Sequence, residues 1–203
     1  MADGRGGYRF ASLLALLGPA QRRRNATPPD LSSIVRLEGE VHRSARVQPE
    51  LTIAFAMPKG ERLDLIVAKL TELGIDHLVP LMTERSVVRV HRDEAAKRRD
   101  RLTRIANAAA QQSRRLYLPE VHDPLTLAEF FATAPQEAYL VEPGGAVLSR
   151  ATRCLVIGPE GGFSPRELEL SLGRVGLGPT VLRVETAAIA AGTLLAALRA
   201  GVL

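Results

Sequence analysis

The chain reads as an α/β protein, a mostly parallel sheet with helices on both faces. Three observations carry that expectation. From about Leu51 onward, short apolar runs alternate with segments of helical periodicity. Two of the runs, residues 51–56 and 154–157, are almost entirely apolar, as strands covered on both faces should be. The second leads into the turn Gly158-Pro159-Glu160-Gly161-Gly162, and behind that turn a well-capped helix begins.

The first fifty residues lack this alternation. Residues 3–7 have turn chemistry, 8–14 suit a strand, 18–30 suit a loop, and 34–47 suggest one or two edge-type strands. A boundary is therefore expected near residue 50, separating 1–50 from 51–203. Residues 51–56 predict a strand. Residues 60–73 predict a helix with Leu63, Ile66, Val67, Leu70 and Leu73 on one face and Gly74 ending it. A strand follows at 77–81. Residues 93–116 predict a long basic helix whose apolar side holds Leu102, Ile105, Ala106 and Ala109. A short helix is expected at 125–134, buried strands at 139–141 and 154–157, and a helix at 165–172 stopped by Gly173. A strand at 180–184 and an Ala- and Leu-rich helix at 186–200 close the chain. There is no internal repeat.

Composition narrows the function classes. The 203 residues are 46% hydrophobic, enough for a real core. No apolar run approaches the roughly eighteen residues of a membrane span, and the N-terminus lacks the form of a secretory signal. The single cysteine, Cys154, precedes an apolar run and reads as a buried structural thiol. A cytoplasmic protein is expected. Net charge is +5, but residues 85–115 alone hold ten basic side chains against three acids. An arginine-rich composition can reflect base composition of the genome; charge concentrated on one segment points to a phosphate-rich partner. His42, His77, His91 and His122 show no ligand spacing, so no metal is expected. Aromatics at 4% argue against a base-stacking platform.

Ligands of parallel sheets sit beyond the C-terminal ends of strands. The turn 158–162 stands at such a place. Ser164, Pro165 and Glu167 behind it have the pattern of a capping box with proline at the first helical position. A tight strand-to-helix turn would read the same way. GxGxxG is absent here, which disfavours a dinucleotide fingerprint, and Gly-Lys-Ser/Thr is absent, which excludes a P-loop. A second loop, Gly176-Leu177-Gly178-Pro179, precedes the expected strand 180–184, with Glu185 and Thr186 at that strand's end. Two such loops on adjacent strands could hold one flat heterocycle.

Several motifs together resemble the RsmE family of ribosomal small-subunit RNA uridine-N3 methyltransferases. They are Met57-Pro58-Lys59-Gly60-Glu61-Arg62-Leu63-Asp64 with Lys69 and Thr71-Glu72-Leu73-Gly74, and Glu84-Arg85-Ser86-Val87-Val88-Arg89. Others are Ala110-Gln111-Gln112-Ser113-Arg114 with Pro119, and residues 157–164 with Glu167. The last is Leu177-Gly178 with Leu182-Arg183-Val184-Glu185-Thr186-Ala187. The resemblance spans about 51–200 in order. It implies the SPOUT fold, an α/β domain with a C-terminal trefoil knot, one of the rare exceptions to unthreaded chains. It also implies a homodimer, S-adenosylmethionine as methyl donor, and a uridine of 16S rRNA in the small ribosomal subunit as substrate. Related readings are a SPOUT enzyme with another RNA target, or a homologue that binds cofactor or RNA without turnover.

Carried onto this sequence, the cofactor residues are Leu140, Ile157, Gly158, Pro159, Gly161, Gly162, Leu177, Gly178, Leu182, Arg183, Thr186 and Ala187. Arg114, Arg85 and Glu185 are the catalytic candidates; Glu185 could serve as a base or shape the cofactor loop. Lys59, Arg62, Arg85, Arg89 and Arg114 are the RNA-binding candidates. Arginine suits both phosphate binding and stabilisation of a developing oxyanion. The family usually begins with a PUA-like β-barrel. Here residues 3–12 resemble a middle turn and strand of it, so residues 1–50 read as an incomplete PUA-like segment. Gln111 stands where the family commonly has Glu, and Arg115 where it has a small residue.

Overall fold

The computed structural model describes residues 44–133, 137–171 and 173–203, apart from the side chain of Arg92. The turn expected at 3–7, the strand at 8–14, the loop at 18–30 and most of the edge-type strands at 34–47 lie outside it. The described elements are β1 (Thr52–Ala56), α1 (Arg62–Glu72), β2 (His77–Met82), α2 (Arg92–Gln112), β3 (Glu120–Val121) and β4 (Leu125–Thr126). They continue with α3 (Leu127–Thr133), β5 (Ala138–Ala146), β6 (Cys154–Ile157), α4 (Pro165–Leu168), β7 (Arg174–Val175) and α5 (Val184–Ala200). Among the described residues no helix is long and apolar enough to cross a membrane.

The sheet runs β3-β2-β1-β6-β5-β7, with β4 also on β2, and every pairing is parallel. Alternation along each strand divides the core in two. On one face Ile53, Phe55, Leu78, Leu155 and Ile157 meet the apolar stripes of α1, α2 and α5. In α1 the stripe is Leu63, Ile66, Val67 and Leu70, the spacing that makes a helix amphipathic. On the other face Ala54, Val79, Leu81, Cys154 and Val156 meet Leu127 and Phe130 of α3, together with Phe163. Cys154 is fully buried, and burial pushes its thiol up to about 12, so it is an inert packing group.

Four elements depart from the sequence expectation. Residues 180–184 form no strand. The edge beside β5 is taken by Arg174–Val175 instead, and Val181 is left 84% exposed. The loop 176–179 therefore follows a strand rather than preceding one. The long basic helix ends at Gln112, not at 116, because Arg114 adopts φ 56 and turns the chain. Helix α4 stops at Leu168, where the return to β7 is held by Ser171, whose Oγ donates to the Gly173 carbonyl at 2.8 Å. Residues 125–126 pair with β2 before α3 begins.

At the N-terminal ends of β1 and β2 lies a buried charge cluster. Asp76, 3% exposed, accepts from Arg115 Nη2 at 2.8 Å, from Arg199 Nη1 at 2.6 Å and from the Leu51 amide at 3.0 Å. It ties α2, α5 and the start of β1 to one point, and Arg115, the departure from the family pattern, is one of its partners. Two of the histidines meet: His77 at the start of β2 faces His122 just after β3.

Candidate active site

Val141 of β5 and Ile157 of β6 are register partners where the two strands stop pairing with one another. Beyond them the bulged end of β5, residues 142–145, converges with the loops 158–163 and 176–183. They enclose a cleft of about 300 Å³ whose walls include Ile157, Gly158, Pro159, Gly161, Gly162, Leu177, Gly178, Leu182 and Ala187. Two glycines make the packing possible. A Cβ on Gly158 would stand 2.9 Å from the Phe163 ring, which folds back over the turn. A Cβ on Gly145 would overlap the Val175 backbone, its nitrogen at 2.7 Å, so the bulged end of β5 can lie directly on β7.

The 158–163 loop is braced from behind. Ser164 caps α4 through its hydroxyl, which accepts from the Glu167 amide at 3.2 Å, and Glu167 Oε2 accepts from the Ser164 amide at 2.8 Å. Pro165 stands at the helix start. The second oxygen of Glu167 accepts from the Glu84 amide at 2.8 Å. Next to Glu84, Arg85 Nη1 donates to the carbonyls of Gly161 at 2.8 Å and Phe163 at 3.3 Å. Arg85 is thus a brace for the glycine turn.

The electrostatics of the cleft are one-sided. Among the described residues its only titratable walls are Glu142 and Glu160. Burial pushes the Glu142 carboxyl above the usual carboxylate range, with Arg174 pulling the other way. Glu160 accepts from Arg62 Nη1 at 2.8 Å. The same nitrogen forms a looser ion pair with Glu185 Oε2 at 3.8 Å, and that buried oxygen accepts no hydrogen bond. Beyond Arg62 the sign reverses. Lys59, Arg98 and Arg101, against the single acid Glu61, line a concavity of about 430 Å³ with Pro58, Gly60 and Val88. Arg101 is engaged by Asp64, while Lys59 and Arg98 make no ion pair among the described residues. An acid-walled cleft and a basic concavity therefore flank the Arg62–Glu160 pair.

Three residues expected at the cofactor lie off the cleft wall. Leu140 is fully buried in the sheet, and Arg183 and Thr186 are exposed beside the start of α5. Arg89 donates to the Glu84 carbonyl at 2.9 Å and lines a separate concavity of about 500 Å³ with Arg166 and Leu170. Arg114, exposed, lies at the far end of the sheet: its neighbour Arg115 is bound to Asp76 just before β2, whereas the cleft lies past the ends of β5 and β6. Within one chain Arg114 and the cleft do not converge. Sequence reasoning missed Val141, Glu142, Pro143, Glu160, Thr180 and Val181 as cleft walls. The pair Gly144-Gly145 after an apolar run was a usable signal for the first three.

The sequence pattern of a family described as RNA methyltransferase domain matches residues 46–196. Ribosomal RNA small subunit methyltransferase E of Bacillus subtilis is 34% identical over 155 residues, covering 66% of this chain and 60% of that protein. The protein of the same name from Synechocystis is 34% identical over 154 residues, covering 68% and 50%. Among solved structures, ribosomal RNA small subunit methyltransferase E from Neisseria gonorrhoeae, bound to S-adenosylmethionine, superposes with TM-score 0.67 at 28% identity, covering 78% of this chain and 72% of that one. A methyltransferase from Legionella pneumophila in complex with the same cofactor gives 0.65 at 32% identity, covering 77% and 72%. The chain spans less than two thirds of the length of these curated relatives.

Proposed function

The chain belongs to the RNA methyltransferase domain family, and from that premise we propose that it transfers a methyl group from S-adenosylmethionine to N3 of a uridine in 16S rRNA. The observation that carries the cofactor assignment is the charge of the cleft, whose titratable walls among the described residues are Glu142 and Glu160 alone. Carboxylates facing an apolar, backbone-lined cavity favour a cation and repel the phosphates of a nucleotide. S-adenosylmethionine, when bound, supplies a methyl group on a positively charged sulfonium.

The chain's own residues would do the remaining work. Ile157, Leu177 and Leu182 offer an apolar wall, and the turn 158–162 offers backbone amides and carbonyls at close approach. Lys59 and Arg98 hold the phosphates of the RNA strand in the basic concavity. Uracil N3 must shed its proton, and negative charge then spreads onto O2 and O4. Arg62, between the two cavities, is placed to balance that charge. Glu185 Oε2, which accepts no hydrogen bond and lies 3.8 Å from Arg62, is our choice of proton acceptor. Arg85 acts through the turn it braces.

Further parts of the reading rest on the family resemblance: a trefoil knot around the cleft, a homodimer, residence in the cytoplasm, and a division into a PUA-like segment at 1–50 and a methyltransferase domain at 51–203. The distance of Arg114 from its own chain's cleft supports a dimer in which the partner supplies that arginine. Mass spectrometry of 16S rRNA from a deletion strain, with and without the gene restored, tests the whole assignment. N3-methyluridine should vanish on deletion and return with the gene; an unchanged level refutes it.

A further inference from the structure

At the opposite end of the sheet from the cleft, three potential ligands converge, His77 with Glu120 and His122, the two histidines 45 residues apart in sequence. His77 opens β2, and its register partner in the parallel neighbour β3 is Glu120. Register partners share a face of the sheet, and so do residues two apart on one strand. His122 therefore projects beside Glu120, and its amide donates to the Leu78 carbonyl at 3.0 Å, extending the pairing by one residue. His77 Nδ1 faces His122 Nε2 at 3.3 Å. Glu120 carboxylate oxygens stand 3.5 Å from His77 Nδ1 and 3.9 Å from His122 Nε2.

The other nitrogen of His77 is committed. Its Nε2–H donates to Glu50 Oε2 at 3.0 Å, and Glu50 is itself held by Arg46 at 3.0 Å. With Nε2 protonated, Nδ1 presents its lone pair toward His122 and Glu120. A carboxylate that fixes the tautomer of a histidine from behind is the usual second layer of a metal site. The spacing agrees. Two nitrogens bound at about 2.05 Å to a tetrahedral zinc ion lie about 3.3 Å from each other, the separation seen between these rings. The remaining edges are a few tenths of an ångström longer, within reach of a small side-chain adjustment by the exposed Glu120. Arg99 holds Asp123, next to His122, at 3.2 Å, leaving the ligand atoms facing one another.

We propose that His77, His122 and Glu120 bind a divalent transition-metal ion, Zn²⁺ by ligand type, with Glu50 orienting His77 and water in the fourth position. It is the one such grouping among the described residues. It lies at the N-terminal ends of β2 and β3, far from the methyl-transfer cleft. Its role would be structural: it joins the sheet edge to residues 46–50, the segment that leads into β1.

The test is Zn²⁺ binding to the untagged full chain, stripped with chelator and measured by calorimetry, with Co²⁺ substitution as a spectroscopic check. One equivalent of Zn²⁺ should bind, thermal stability should rise with it, and Co²⁺ should show the intense visible bands of a tetrahedral site. His122→Ala and the less intrusive Glu120→Ala should each weaken Zn²⁺ binding at least about tenfold, and Glu50→Gln by roughly 10–100-fold. His91→Ala, at an exposed position outside the cluster, should bind as the parent does. The proposal is overturned if the parent chain takes up no stoichiometric Zn²⁺, or if Glu120→Ala and His122→Ala, folded by circular dichroism, bind as tightly as the parent. The 3.3 Å contact would then be an imidazole–imidazole hydrogen bond alone.

Discussion

Arg114 is, among the described residues, the one non-glycine residue in the left-handed region, with φ 56. It occupies the position after a helix where glycine is favoured, and its amide donates to the Gln111 carbonyl at 3.3 Å. An L-residue with a long side chain there costs about 1 kcal/mol relative to glycine. That cost supports an arginine retained for what its side chain does. Arg114→Gly should therefore be as stable as the parent, or up to about 1 kcal/mol more stable in urea unfolding, while methyl transfer to 16S rRNA falls at least tenfold. Full activity in that variant would remove Arg114 from the mechanism. The candidacy of Arg114 was legible in sequence from the motif around it; its backbone was not, because φ at a helix end depends on where the next residue must go. Here Arg115 must turn inward to Asp76.

The elements were legible in proportion to their periodicity. Helix α1 and strands β1 and β6 carry long or uniform patterns and lie where expected. The segment 180–184 looked like a strand because Val181, Leu182 and Val184 are strand formers, yet only pairing makes a strand, and Arg174–Val175 holds that edge. Half of the cleft was foreseen from its glycine loops. Glu142 and Glu160 were not, since nothing in sequence says that 142–145 and 176–183 meet. The capping box of α4 was fully readable, and it sets a prediction. Glu167, 4% exposed, satisfies two amides at once, those of Ser164 and Glu84. Glu167→Ala keeps the Ser164 hydroxyl cap but loses its reciprocal half, orphaning the buried Ser164 amide and the half-buried Glu84 amide, which should cost about 1–3 kcal/mol in thermal unfolding. It should also loosen Arg85 and the turn that Arg85 braces. Loss of less than about 1 kcal/mol would mean that the loop is held by other contacts.

Taken whole, the molecule has a chemical end and an anchoring end, separated by the length of the strands. The anchoring end depends on Asp76. Asp76→Ala would leave Arg115 and Arg199 buried without their partner and the Leu51 amide unsatisfied. Breaking such a buried pair costs about 3–5 kcal/mol, enough to unfold much of the population at 37 °C; a small change in denaturation midpoint would contradict the clustered role. The chemical end depends on a cleft with two carboxylates and no cation on its walls. Burial raises the folded-state Glu142 carboxyl above its ordinary value. Its own contribution to stability is thus fully present in acid and lost as pH rises through the raised value. Binding of a cation has the opposite sign, because the cation needs the ionised form: affinity should fall as pH drops through that value. Isothermal titration of the full chain with S-adenosylmethionine near neutral pH, beside Glu142→Gln, tests this most directly. The structure predicts one cofactor per chain, with affinity reduced roughly tenfold in the variant, about 1.4 kcal/mol. No heat of binding from a folded parent protein, or equal affinity in the variant, would contradict it.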